Sequence, residues 1–190
     1  MFPKLNIVLS LILLVFLAGY SSAADPEPGE PKPGDPAPTI TASQWLRGEP
    51  IGEYEPGRVY VVDLWSTWCK PCIDSMPALH ALEKKYGEDV TFIAMDVWEM
   101  EPARVPKFME KSGEFMPAHV AMDSVPAGKE ANEGLTAVAF LGTSENIALP
   151  RTYRIDNVGR IAWVGLPGKL EGNLTKLLAT ESAPGGTSSQ

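Results

Sequence analysis

The residues that carry most redox and metal chemistry are scarce in this chain, which has 2 cysteines and 2 histidines among 190 residues. Two cysteines cannot build the multi-bridge scaffold of a small disulfide-stapled domain. The histidines, His80 and His119, lack zinc-site spacing, so a four-ligand zinc knuckle has no ligand set and no metal is expected. Charge of one sign is never gathered into a block. The formal net charge is -8 and the acidic residues are scattered, which excludes the basic footprint of a nucleic-acid partner. There is no internal repeat. What remains is an ordinary globular composition, 44% hydrophobic, at a length suited to one domain of about 100 to 200 residues.

The first segment, MFPKLNIVLSLILLVFLAGYSSAAD, has an apolar run from Leu5 to Leu17 and then small residues ending in Ser22-Ala23-Ala24. That is the layout of a secretory signal cleaved near Ala24. The run is shorter than the about 20 apolar residues of a spanning helix, so cleavage is favoured, and an uncleaved membrane anchor at residues 5–19 is the alternative. A lipoprotein signal would place a cysteine after Leu17-Ala18-Gly19; Tyr20 stands there and offers no thiol to acylate. The next stretch, DPEPGEPKPGDPAP, predicts a solvated tether because it is rich in proline and has no large apolar side chain. The expected boundaries are a signal at 1–24, a linker at 25–36, a folded domain at 37–181 and a polar tail at 182–190. The protein is therefore expected outside the cytoplasm, in a periplasmic or other extracytoplasmic space.

Inside the domain, apolar β-rich runs alternate with helical periodicity. Strands are expected at 59–65, 90–96, 119–123, 151–155 and 160–165, and helices at 70–86, 102–112, 129–145 and 170–180. This alternation predicts an α/β layered fold. Asp156-Asn157-Val158-Gly159 between the last two strands predicts an antiparallel hairpin at one edge. In the helix at 70–86, Ile73, Met76, Leu79, Leu82 and Tyr86 recur at three- and four-residue spacing as the expected buried stripe. His80 is expected on that helix surface and His119 at a strand start.

Both cysteines fall within VYVVDLWSTWCKPCIDSMP, residues 59–77. The strand ends near Trp65, the chain turns through Ser66-Thr67-Trp68, and Cys69 sits where a helix begins. Unpaired backbone N–H groups and the positive end of the helix dipole stabilise a thiolate there, lowering its pKa from about 8.5. Lys70 adds a nearby positive charge. Cys72, almost one helical turn on, is close enough to close a disulfide with Cys69 but is tucked beneath it, so Cys69 is the attacking sulfur and Cys72 the resolving one. A purely structural bridge is the competing reading, although a loop of three residues restricts the unfolded chain little.

DLWSTWCKPC resembles the thioredoxin active-site segment, and residues 37–180 resemble the exported TlpA/ResA-like thiol-disulfide oxidoreductases of bacteria. The resemblance implies a thioredoxin-like three-layer fold: a central mixed β-sheet flanked by helices, with an inserted strand-helix element between residue 96 and Pro150. It further implies that Asp63 is a buried carboxylate moving the proton of the inner cysteine, with Trp68 beside the nucleophile and Pro77 kinking the active-site helix. IALPRTYRIDNVGRI resembles the segment in which a cis-proline, here Pro150, faces the two sulfurs. The backbone of Leu149 would then pair with the substrate, and Trp68, Lys70 and Pro71 would complete the contact surface.

Two departures narrow the expectation. Some cytochrome-maturation members carry glutamate three residues after the second cysteine, where this chain has Ser75 beside Asp74. A peroxiredoxin-like peroxidase would want proline seven residues before the attacking cysteine; Val62 occupies that position, although Ser66 fits the Thr or Ser wanted three before. Peroxidase activity and a non-catalytic binding module are therefore the alternatives to protein disulfide exchange. Proline directly before the second cysteine resembles reducing thioredoxins, which points to a reductase. The implied cofactor is none beyond the redox-active Cys69–Cys72 pair. The implied partners are disulfide-containing exported proteins, apocytochrome c being one candidate, and a membrane thiol electron donor, with the protein acting as a monomer.

Overall fold

The computed structural model describes residues 29–143 and 147–181, with side chains to 176. The expected signal and C-terminal tail lie outside these residues. Six strands form one sheet: β1 (Ala42–Arg47), β2 (Val59–Trp65), β3 (Val90–Asp96), β4 (His119–Asp123), β5 (Arg151–Ile155) and β6 (Ile161–Gly165). Four helices accompany them: α1 (Lys70–Tyr86), α2 (Arg104–Ser112), α3 (Leu135–Leu141) and α4 (Leu170–Glu181). The strand order is β1-β4-β3-β2-β5-β6. The β2–β3 and β3–β4 pairs are parallel, whereas β1, β5 and β6 each join antiparallel. This is the expected thioredoxin-like α/β architecture, a mixed sheet between two helical layers. Among the described residues no helix is long and apolar enough to cross a membrane.

Strand alternation assigns the layers. In β2 and β3, Tyr60, Val62, Leu64, Ile93 and Met95 pack with Phe140 and Leu141 of α3. The opposite face sends Val59, Val61, Val90 and Phe92 against α1 and α4, and Trp65 and Ala94 against α1 and α2. All seven residues of β2 are buried, as the continuous apolar run of a central strand requires. Each large apolar side chain removed from water there contributes roughly 1.5–3 kcal/mol. Asp63 falls among the odd-numbered residues of β2, so its side chain shares the face covered by α1.

Four local expectations are corrected. Strand β1 was not expected; it is an edge strand whose Ser43 and Gln44 are exposed, and it pairs with β4 through two irregularities. The helix expected at 129–145 is a 3₁₀ turn at Ala131–Glu133 and then the shorter α3, separated by Gly134; residues 144–146 lie outside the description. A Cβ on Gly134 would collide with the Asp123 carboxylate, which needs that space to cap α3 at Thr136 N (2.8 Å) and Ala137 N (2.9 Å). In α1, Ile73 is only half-buried, and Cys72 joins Met76, Leu79, Leu82 and Tyr86 as the buried stripe.

The fourth correction concerns the linker at 25–36, whose later residues are held against the sheet. Gly34 N donates to Ile161 O at 2.8 Å, and Ile161 N donates to Asp35 O at 2.9 Å. Pro36 bridges Arg160. The Glu30 carboxylate accepts from Arg151 Nη2 at 2.8 Å and from the Tyr153 hydroxyl at 2.9 Å. Proline-rich sequence was compatible with edge pairing because proline lacks only the donor, not the acceptor. The hairpin expectation holds: Asp156 Oδ1 accepts from Val158 N and Arg160 N, and Gly159 takes φ +77°, a conformation suited to glycine.

Candidate active site

The turn after β2 is fixed before any cysteine chemistry begins. Ser66 Oγ donates to the Val97 carbonyl, Thr67 donates through N (3.0 Å) and Oγ1 (2.6 Å) to Glu99 Oε2, and Cys69 N donates to Ser66 O (3.1 Å). Cys69 then adopts an extended backbone, φ -84° and ψ 91°, and becomes the N-cap of α1. Its Sγ accepts the Cys72 backbone N–H at 3.3 Å. Serine or aspartate normally supplies this cap; here sulfur does, in the positive field of the helix start. Cys69 and Cys72 are joined as a disulfide. Cys72 is fully buried and Cys69 is 4% exposed, so the first sulfur is the one that an approaching group can reach.

Asp63 lies on the α1-facing side of β2 and is 2% exposed. Thr152 Oγ1 donates to its Oδ1 at 2.6 Å, and among the described residues Oδ2 has no hydrogen-bond partner. Burial pushes the carboxyl up to about 7, against the smaller lowering effect of the Thr152 bond. This carboxyl can accept or release a proton near neutrality. The β2–β5 register, Asp63 opposite Thr152 and Leu64 opposite Arg151, carries Pro150 to the end of β2 from which the cysteine turn departs. The Leu149–Pro150 bond is cis, Pro150 is buried, and Leu149 packs on the apolar cluster containing both cysteines.

The remaining expected residues sit around this centre with different freedom. Trp68 is 44% exposed, and its Nε1 donates to the Trp98 carbonyl at 2.9 Å. Pro71 is exposed at the helix start. Lys70 is exposed with its ammonium held by Asp74 at 2.7 and 2.8 Å; its charge is shared, which reduces its effect on the sulfur. His80 is half-buried at 3.7 Å from Glu83 Oε2, a correction to its expected surface position, and His119 lies at the start of β4 with its ring edge-on to Trp45.

Sequence reading missed Glu99, the acceptor that holds Thr67, and Asp96, a second buried carboxyl. Their signal was present: VTFIAMDVWE places acids at the end of an apolar run, as VYVVDLW does for Asp63. The clasp between Glu30 and Arg151, the residue after Pro150, carried no such signal because 121 positions separate the two.

The family model for redoxins matches residues 32–178. Among curated proteins, the chain is 28% identical to protein FixW of Rhizobium leguminosarum over 72% of this chain and 65% of that one. It is 33% identical to the thiol-disulfide oxidoreductase ResA of Bacillus anthracis, over 64% of each. The alignments thus span less than two thirds of these relatives. Among solved structures, a thiol-disulfide isomerase from Corynebacterium glutamicum superposes with TM-score 0.64 at 22% identity, covering 80% of this chain and 99% of that one. That likeness concerns the fold.

Proposed function

The chain belongs to the redoxin family, and from that premise we propose that it is an exported thiol-disulfide oxidoreductase that reduces disulfides in other exported proteins through Cys69 and Cys72. The observation that carries the reading is the cysteine pair itself, placed with Cys69 as a sulfur N-cap and Cys72 buried one turn below. No residue of a peroxidase signature replaces Val62, and the protein disulfide reading needs none.

In the reduced protein the Cys69 thiolate, stabilised by the Cys72 N–H and the helix start, attacks one sulfur of a substrate disulfide. The substrate S–S bond breaks, its other sulfur leaves as a thiolate that takes up a proton, and a Cys69–substrate mixed disulfide forms. The Asp63 carboxylate then accepts the proton of the Cys72 thiol. Cys72 attacks Cys69 Sγ, the mixed disulfide breaks, and the second substrate sulfur departs as a thiolate. The substrate gains two electrons and the Cys69–Cys72 disulfide is restored. A membrane thiol donor outside the cytoplasm returns two electrons for the next cycle. Leu149 and Pro150 form one wall for the substrate chain, with Trp68 and Pro71 on the exposed rim.

The test is insulin reduction by the purified protein with dithiothreitol as electron source, together with its equilibrium potential. Faster precipitation of the insulin chains, and a potential nearer about -270 than about -120 mV, is the expected result. A potential near the oxidising end with no acceleration would overturn the reductase reading.

A further inference from the structure

A pocket of about 190 Å³ opens where the C-terminal ends of β3 and β4 meet. Its walls include Trp98, Met122 and Val125, and three acids reach it: Asp96, Glu99 and Asp123. Two of them are already committed. Asp123 accepts from the backbone of Ser124, Thr136 and Ala137, and Glu99 accepts from Thr67 and from Glu101 N. Asp96 is different. It is 2% exposed, and among the described residues its buried Oδ1 has no hydrogen-bond partner. Among the described residues no basic side chain lines the pocket, and Ser43, also in its wall, donates its hydroxyl to the Met122 and Asp123 carbonyls.

A buried acceptor without a donor, two further acids and apolar walls make an unfinished cation site. Among the described residues no group of three or more His, Cys, Asp or Glu is disposed to hold a metal ion, and the lining suits an organic cation better. An ammonium is compact and strongly hydrated, whereas a guanidinium is flat, weakly hydrated, rich in donors and stacks on aromatic faces such as that of Trp98. We propose that this pocket binds an alkylguanidinium group, the head of an arginine side chain on a partner polypeptide, with Asp96 as its ionic partner.

The pocket lies behind the turn that presents Cys69, because Glu99 holds Thr67 and the Trp98 carbonyl holds the Trp68 indole. An arginine seated there positions a polypeptide beside the disulfide through a residue that takes no part in exchange. The inference concerns binding alone and stands apart from whether the cysteine pair turns over. Burial, with Glu99 and Asp123 facing it, raises the Asp96 carboxyl to about 9, so the empty pocket holds a neutral acid at pH 7. A guanidinium favours the ionised form, and seating it expels a proton.

The test is calorimetry on the oxidised full chain with ethylguanidinium at pH 7, in two buffers of different ionisation heat. Saturable binding with release of about one proton, and affinity at least about tenfold weaker in Asp96→Asn, is expected. The carboxyl carbon resonance of Asp96 in the unmutated protein should move from its neutral to its ionised position on titration, a readout that needs no variant. No saturable binding, equal affinity in Asp96→Asn, or an Asp96 resonance that stays in place would overturn the proposal, as would displacement of ethylguanidinium by equimolar calcium. The capped tripeptide Ala-Arg-Ala binding more tightly than ethylguanidinium supports the polypeptide source; weaker or equal binding overturns that source.

Discussion

Replacing Asp63 with asparagine removes one ionisable group from the interior, while the side chain keeps its size and the acceptor used by Thr152 Oγ1. Burial holds the carboxyl at about 7 in place of its ordinary 3.8. Below pH 4 both folded and unfolded chains carry the proton, and nothing is lost. Between pH 4 and 7 the unfolded chain ionises while the folded one does not, so the raised pKa draws stability away as pH rises. Above pH 7 the penalty is complete. A gap of about 3 units at 1.36 kcal/mol each gives an upper bound of about 4 kcal/mol. The asparagine variant escapes this loss. Its stability relative to the unmodified protein should therefore grow from pH 4 to pH 8 by as much as about 4 kcal/mol, measured by urea unfolding of both oxidised proteins at pH 4, 6 and 8. Asp96 titrates in both and cancels from the difference. The same variant should exchange disulfides more slowly and lose any rate inflection near pH 7. A stability difference that stays constant with pH, together with an unchanged rate profile, would refute the reasoning.

Cys72→Ser should accumulate mixed disulfides with substrate proteins while Cys69→Ser accumulates none, as read on non-reducing gels; equal trapping would refute the assignment of Cys69 as the attacking sulfur. Gly134→Ala should lower the denaturation midpoint by the equivalent of about 2–3 kcal/mol, because its Cβ drives the Asp123 carboxylate off the first turn of α3; an unshifted midpoint would mean that the carboxylate relocates freely. Glu30→Gln should cost about 1 kcal/mol or less at low salt and less still at high salt, because the ion pair to Arg151 is only partly buried; a salt-independent loss would assign the effect to the Tyr153 hydrogen bond instead.

Five of the six strands were legible: β2, β3 and β4 as short apolar runs that the sheet buries, and β5 and β6 as β-rich segments joined by a turn with Asn and Gly. Strand β1 was not, since ASQWLR shows little β-branched content and its exposed residues need only an edge. The over-long helix at 129–145 shows the same rule from the other side: apolar periodicity continues through GLTAVAF, but Gly134 has to yield room to Asp123, a residue of a different strand. The placement of Cys69 and Cys72 at a helix start and the burial of Asp63 were readable, because the first follows from local spacing and the second from apolar neighbours in sequence and from the resemblance. Glu99 was visible only as an acid closing an apolar run; what it and Glu30 hold lies far along the chain, and pairings of that kind leave no periodic trace.

The two parts of the candidate active site become complete at different stages of chain closure. The sulfur cap on α1 is made within residues 69–72, and β2, α1 and β3 form one continuous stretch of chain with parallel pairing. The carboxyl's environment depends on Thr152, 89 positions away, and on β5 sealing the other side of β2. Contacts of such long range are entropically late. A partly assembled chain can therefore hold its two sulfurs in place while Asp63 still faces water as an ordinary acid. Only the closed sheet gives Asp63 the burial that raises its carboxyl to about 7, so under the proposed function the proton-handling step is conferred by complete folding.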